Sequence, residues 1–255
     1  MFLACVVVAA DGPVGSKADS QSSAKSRVDA DGWDILFDGK DLSAWNIPSG
    51  ENGWKITDKG ELHVAGKGAN LFTHRRYCDY MLEYDARLAP ETRGHSGVYL
   101  RAHNSRDITS SGIEVQIIDN AAYGAKWDSI NANGALVGLS RPTATASNPV
   151  GQWDHFRITA KDALVTIELN GKETVKADLN QWSKPHRNPD NRTNKYEQAI
   201  AALPREGFIG LQNYGGSPVW FRNIRIKPLG DRQPKYTGKE NVDDVLGAAP
   251  KNEEK

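Results

Sequence analysis

An all-β sandwich is the fold class this sequence predicts, and three observations carry it. Apolar runs of strand length recur from Gly32 to Leu229, turn-forming dipeptides separate them, and helical periodicity is nearly absent. In order the runs are WDILF, WKI, ELHVAG, YMLEYDARLA, HSGVYLRAH, IEVQI, FRITA, ALVTIEL, GFIGLQ and VWFRNIRIKPL. Asp38-Gly39, Asn170-Gly171 and Gly215-Gly216 mark turns, and Asn170-Gly171 between VTIEL and ETVKA reads as a hairpin because both positions accept positive φ. Only YEQAIAAL, residues 196–203, has helical spacing. It lies in a polar excursion over residues 181–206, long enough that we expect it to shape one wall of a groove. Many short strands with almost no helix leave a sandwich, jelly roll or barrel. Period-2 alternation places Val98, Leu100, Val115, Ile117, Ile158, Ile167, Leu169, Ile209 and Leu211 inward.

The ends read differently. Residues 1–10 are apolar and Val8-Ala9-Ala10 resembles a small-residue cleavage site, so residues 1–31 are expected to be a signal-peptide-like start followed by a linker. Export to the periplasm or cell surface follows, with lipoprotein anchoring at Cys5 as the weaker variant. Residues 230–255 are charged and Pro/Gly-punctuated, the composition of a disordered tail. Of the 255 residues, Lys+Arg and Asp+Glu number 32 each, which lacks the basic excess of a nucleic-acid binder. No apolar stretch reaches the roughly 18 residues of a membrane-spanning helix. Cys5 and Cys78 are the two cysteines; Cys78 reads as a small packing residue, and no CxxC or Cys/His cluster suggests a metal.

The candidate functional residues come from the opposite parity of the same strands. In HSGVYLRAH, His95, Gly97, Tyr99, Arg101 and His103 alternate against Ser96, Val98, Leu100 and Ala102; in IEVQI, Glu114 and Gln116 alternate against Ile113, Val115 and Ile117. Gln212 and Tyr214 share the face opposite Ile209 and Leu211, while Trp153, His155 and Arg157 share the face opposite Phe156 and Ile158. This patch of imidazole, guanidinium, phenol, amide and carboxylate has two readings. Glu114 and Arg101 form either a cross-strand ion pair on a solvated face or part of a reaction centre. Trp153 is either a platform for a sugar ring or a cap on the sheet, and Asp119 is foremost a turn former.

Four blocks occur in a fixed order: GWDILFDGKDLSAWN, HSGVYLR, IEVQIID and GFIGLQNYGGSPVWFRNIRIKPL. Together they resemble the 3-keto-disaccharide hydrolase domain family over roughly Gly32 to Leu229. The resemblance implies a concanavalin-like jelly roll of two antiparallel sheets with a concave sugar-binding groove. It also implies a carbohydrate substrate, a glycoside already oxidised to a ketone, that is cleaved by hydrolysis or elimination. One departure stands out: where such sequences carry histidine after LQ and a polar residue, this chain has Tyr214.

Under that resemblance the residues acquire roles. A ketone acidifies the hydrogen on the adjacent carbon, so cleavage needs a base, a donor at the developing enolate oxygen and a proton for the leaving alcohol. Glu114 is the expected base, Arg101 the expected donor, and His103 or His155 the expected acid. Tyr99, Gln116, His95, Trp153, Gln212 and Tyr214 are the expected substrate-binding groups. No cofactor is called for; a structural calcium is compatible with such a fold, without assignable ligands. Two rivals remain open. A two-carboxylate glycosidase needs a second acid about 5–10 Å from Glu114, which no neighbouring strand motif offers. A non-catalytic carbohydrate-binding module needs only aromatic platforms and neutral amides.

Overall fold

The computed structural model describes residues 27–47, 53–90, 92–104 and 108–236. Its strands, among the described residues, are β1 (Asp34–Phe37), β2 (Trp45–Asn46), β3 (Trp54–Ile56), β4 (Leu62–Val64), β5 (Leu71–Thr73), β6 (Tyr80–Leu88), β7 (His95–Ala102), β8 (Ile113–Ile118), β9 (Asp154–Lys161), β10 (Leu164–Leu169), β11 (Lys172–Asp178), β12 (Phe208–Leu211) and β13 (Val219–Pro228). They form two antiparallel sheets. The larger runs β11-β10-β9-β6-β13-β4-β3, with β1 also paired to β13; the smaller runs β2-β5-β12-β7-β8. This is the all-β sandwich expected from the alternation, and its two antiparallel sheets are the jelly roll the resemblance implied.

The two sheets close on one apolar core. All nine residues expected inward, from Val98 to Leu211, are at most 2% exposed and belong to it. Burying side chains of this size contributes about 1.5–3 kcal/mol each, the term that offsets the ordering of so many short strands. Aromatic packing bridges neighbouring strands in the larger sheet, where Tyr84 and Phe156 stack at 4.8 Å. The hairpin at Asn170-Gly171 joins β10 to β11, with φ of 51° and 79° at its two central residues, as a two-residue turn between right-twisted strands requires.

Two local expectations are corrected. YEQAIAAL does not form a helix; its only helical piece is a single 3₁₀ turn at Ile200–Ala202. Eight residues are too few to nucleate a stable helix unaided, and Tyr196, Ile200 and Leu203 are drawn into the core instead. The segment just past residue 230 is held rather than loose. Gln233 donates to the backbone oxygens of Asp79 and Leu229, and Arg232 pairs with Asp79 and Asp162. On the amino-terminal side, Arg27 pairs with Asp38, and Val28 bridges to Asp34. The signal-peptide-like stretch, Cys5 and the last residues of the tail lie outside the described residues. Cys78 is a buried free thiol whose pKa burial pushes up. No helix among the described residues is long and apolar enough to cross a membrane.

Candidate functional site

The smaller sheet builds the site. One row of paired residues crosses all five of its strands on the outer face: Asn46, Phe72, Gly210, Tyr99 and Glu114. Beside it, Gly97 pairs with Gln116 on β8, and its carbonyl accepts a hydrogen bond from the Gln212 backbone just after β12. Gly97 therefore lies beside Gln116, under Glu114 and next to Gln212, with His95 and Tyr99 two residues to either side along β7. Glycine is needed there: a β-carbon would come within 2.8 Å of Glu114 Oε1.

Glu114 is 5% exposed, and both carboxylate oxygens are engaged. Gln212 Nε2 donates to Oε1 at 3.0 Å and to the Tyr99 hydroxyl at 2.5 Å, while Lys195 Nζ donates to Oε2 at 3.1 Å. Burial and the Glu114 charge both raise the Tyr99 pKa, so the phenol keeps its proton. Gln116 donates to the Asn131 carbonyl at 3.2 Å. Its side chain also bonds to His95, while the Oε1 of Gln212 is buried without a hydrogen-bond partner. A buried amide oxygen left unpaired carries a desolvation cost that a ligand's hydroxyl would relieve. His95 is half-buried, its pKa lowered by burial, and its ring stacks on Tyr214 at 3.8 Å and meets Tyr123 edge-on. Tyr214 is itself about half exposed.

The structure brings together Glu114, Tyr99, Gln116, His95, Gln212 and Tyr214 and separates the rest. Arg101 is corrected. Between Tyr99 and Ala102 of β7, two residues stand opposite one of β12, and Arg101 has φ of 51°. This bulge reverses the alternation, so Ala102 joins Tyr99 in the outer apolar cluster while Arg101, 2% exposed, turns away. Its guanidinium bonds to the carbonyls of Cys78 and Asp162 and to the Asp79 carboxylate, tying β7 to the larger sheet.

His103 lies just beyond the far end of β7 from His95, half-buried, its pKa lowered by burial. His155 and Trp153 belong to the other sheet, so their expected place beside Glu114 is corrected as well. His155 pairs across strands with Asp85 of β6 and bonds to it at 2.8 Å, which raises the histidine's pKa. Trp153 lies under the guanidiniums of Arg222 and Arg87, at 4.2 and 4.8 Å. Their parity was read correctly, but parity does not say which sheet a strand joins.

Lys195 is the residue sequence reasoning missed. It sits in the 181–206 excursion, with no periodicity to mark it, and the only signal was the length of that segment. A separate cavity of about 220 Å³ opens at one end of the sandwich, lined in part by Leu88, Ile117, Phe156 and Asp154. Burial raises the Asp154 pKa, yet the carboxylate is a structural knot, accepting from the Asn148 backbone and from the side chains of Asn170 and Asn133. No cluster of three or more His, Cys, Asp or Glu among the described residues could hold a metal. Asp119 accepts from the Ala122 backbone, the contact of a turn former.

Fold and site thus define an antiparallel jelly-roll sandwich with one buried carboxylate, Glu114, held by an amide and an ammonium on its smaller sheet. The chain belongs to the 3-keto-alpha-glucoside-1,2-lyase-like domain family, whose pattern it matches over residues 32–227. It is 28% identical over 250 residues to a 3-keto-disaccharide hydrolase of Bacteroides thetaiotaomicron, with 84% of each chain covered. A crystal structure from Parabacteroides distasonis, described as a candidate glycosyl hydrolase, superposes with a TM-score of 0.68 at 31% identity, over 77% of this chain and 99% of that one. A second candidate glycosyl hydrolase from the same organism gives 0.63 at 21% identity, over 79% and 96%, a likeness of fold.

Proposed function

We propose that this protein cleaves the glycosidic bond of sugars carrying a ketone at C3, with Glu114 as the base. The observation that supports this most is the Glu114 carboxylate: buried, bonded to an amide and an ammonium rather than to a second acid, and set over a glycine floor beside a protonated phenol. A paired-carboxylate glycosidase would place another acid across the bond.

Glu114 takes the hydrogen from C2, next to the ketone; the C–H electrons form the C2–C3 double bond as the carbonyl electrons collect on oxygen. Return of those electrons forms the C1–C2 double bond and expels the glycosidic oxygen, which takes a proton from the site and departs as an alcohol. Addition of water to the resulting enone gives the free 3-keto sugar, so elimination followed by hydration sums to hydrolysis. Tyr99, whose oxygen already accepts from Gln212, has its own proton available for the departing oxygen. The unpaired amide oxygen of Gln212 is an acceptor suited to a ring hydroxyl. We further propose export, on the strength of the apolar first ten residues.

Incubating the protein with a 3-keto-disaccharide and with its unoxidised parent, and following sugar release, tests this reading. Release from the keto substrate alone is expected. Binding of either sugar without release would reduce the protein to a carbohydrate-binding module.

A further inference from the structure

The reaction proposed above, on which this inference rests, builds negative charge on the ketone oxygen, and Arg101 is bonded too far inside the sandwich to meet it. We infer that Lys195 supplies the positive charge at that oxygen. In the substrate, the hydrogen to be removed and the carbonyl are on adjacent carbons, so base and cation must stand side by side. Lys195 Nζ and Glu114 Oε2, 3.1 Å apart, are such a pair. Glu114 takes one of the three N–H donors of the ammonium, which leaves donors for a ligand oxygen. The exposure of the two side chains differs in the same sense: 31% for Lys195 against 6% for Glu114, so an arriving sugar meets the ammonium first.

An ordinary surface ion pair joins two solvated side chains on mobile stems and adds little. Here the partner is buried, and the segment that presents the lysine is fixed on both sides. Tyr196 is buried, and its hydroxyl donates to the Gly112 carbonyl, two residues before Glu114 on the same stretch of chain. Upstream, Asn188 is 5% exposed; its Oδ1 accepts from Trp182 Nε1 and Asn194 Nδ2, and its own amide donates to the Gly138 carbonyl. The backbone of His186 closes the segment on the Tyr196 carbonyl at 2.8 Å. Lysine and glutamate therefore keep a set distance, as a preorganised charge site requires. When Glu114 takes the C2 proton, the carbonyl electron pair moves to the oxygen held by the Lys195 ammonium. The lysine stays protonated, and the charge returns to the bond as the glycosidic oxygen leaves.

The test uses the full chain with Lys195→Met, Lys195→Gln and Lys195→Arg, each checked for folding by its melting temperature. With a 3-keto-disaccharide, kcat should fall about 100-fold or more in the two neutral variants and by about 10-fold or less in Lys195→Arg. In a Glu114→Gln background, where no turnover interferes, calorimetry should show that Lys195 sets the preference for keto over parent sugar, a preference lost in the double variant Glu114→Gln/Lys195→Met. Wild-type cleavage with folded Lys195→Met and Lys195→Gln within threefold of it would overturn the role of Lys195 alone. If the wild type cleaves nothing, the proposed function fails, and the binding preference still decides this inference: no difference between the two backgrounds overturns it.

Discussion

The Glu114 carboxylate occupies the space into which a side chain at residue 97 would grow: a β-carbon there would lie 2.8 Å from Oε1 and 3.0 Å from Cγ. The two residues sit on neighbouring strands, and the glycine on one lets the acid on the other lie flat against the sheet. The close approach identifies Gly97 as part of the site without any chemistry of its own.

Gly97→Ala should therefore act on turnover more than on folding. The added methyl also meets the Val115 carbonyl at 3.2 Å, so overpacking of about 1–3 kcal/mol is expected in a melting experiment. Displacing the carboxylate by a fraction of an ångström to an ångström should cost roughly 10- to 100-fold in kcat. Full activity in folded Gly97→Ala would place the chemistry elsewhere.

Arg101 gives the opposite pattern. Its guanidinium is buried against Asp79 and two carbonyls. Removing one member of a buried pair costs about 3–5 kcal/mol. Arg101→Met should lower the melting temperature by roughly 6–20 °C in a chain of this size. The kcat of the fraction that remains folded should change little. A large loss of kcat with unchanged melting would return Arg101 to the reaction.

The His155–Asp85 pair makes stability depend on pH. Its hydrogen bond to Asp85 raises the His155 pKa above the ordinary 6.5. A raised folded pKa means a contribution fully present below the unfolded value and lost as pH rises through the folded one, so it fades above about pH 6.5. For Asp85, burial pushes upward, but the bonds from His155, Arg222 and Asn223 outweigh it and hold the carboxyl below 3.8. That contribution is lost only in strong acid. Denaturant melts of His155→Gln across pH 5.5 to 8.5 should be flatter than wild type, with turnover unchanged because the pair lies on the sheet without Glu114. An equally steep profile in the variant would assign the pH dependence to other groups.

What was legible in the sequence and what was not divides along physical lines. Alternation in the runs of β7, β8 and β12 exposed both the core set and the Glu114 face, because a strand half-buried on each side has period 2. Asn170-Gly171 revealed its hairpin through the positive φ its turn demands. The bulge at Leu100–Arg101 left no such mark, and one extra residue was enough to send Arg101 to the wrong face. Trp45–Asn46 and Leu71–Thr73 are too short to show a period. His155 was misplaced because strand pairing is long-range: β9 joins β6, some seventy residues upstream. Lys195 was hidden because nothing periodic positions it; the Asn188, Asn194 and Tyr196 bonds that do are visible only in three dimensions.

The claim that Glu114 removes the proton beside the ketone is tested most directly by hydrogen exchange. A 3-keto-disaccharide is incubated in deuterated water, and incorporation at C2 is followed by NMR alongside bond cleavage. Wild type should place deuterium at C2 of the released keto sugar, and Glu114→Gln, which keeps the shape and loses the base, should slow both exchange and cleavage by a factor of roughly 100 or more. Cleavage without deuterium at C2, or Glu114→Gln exchanging and cleaving at the wild-type rate, would contradict the account.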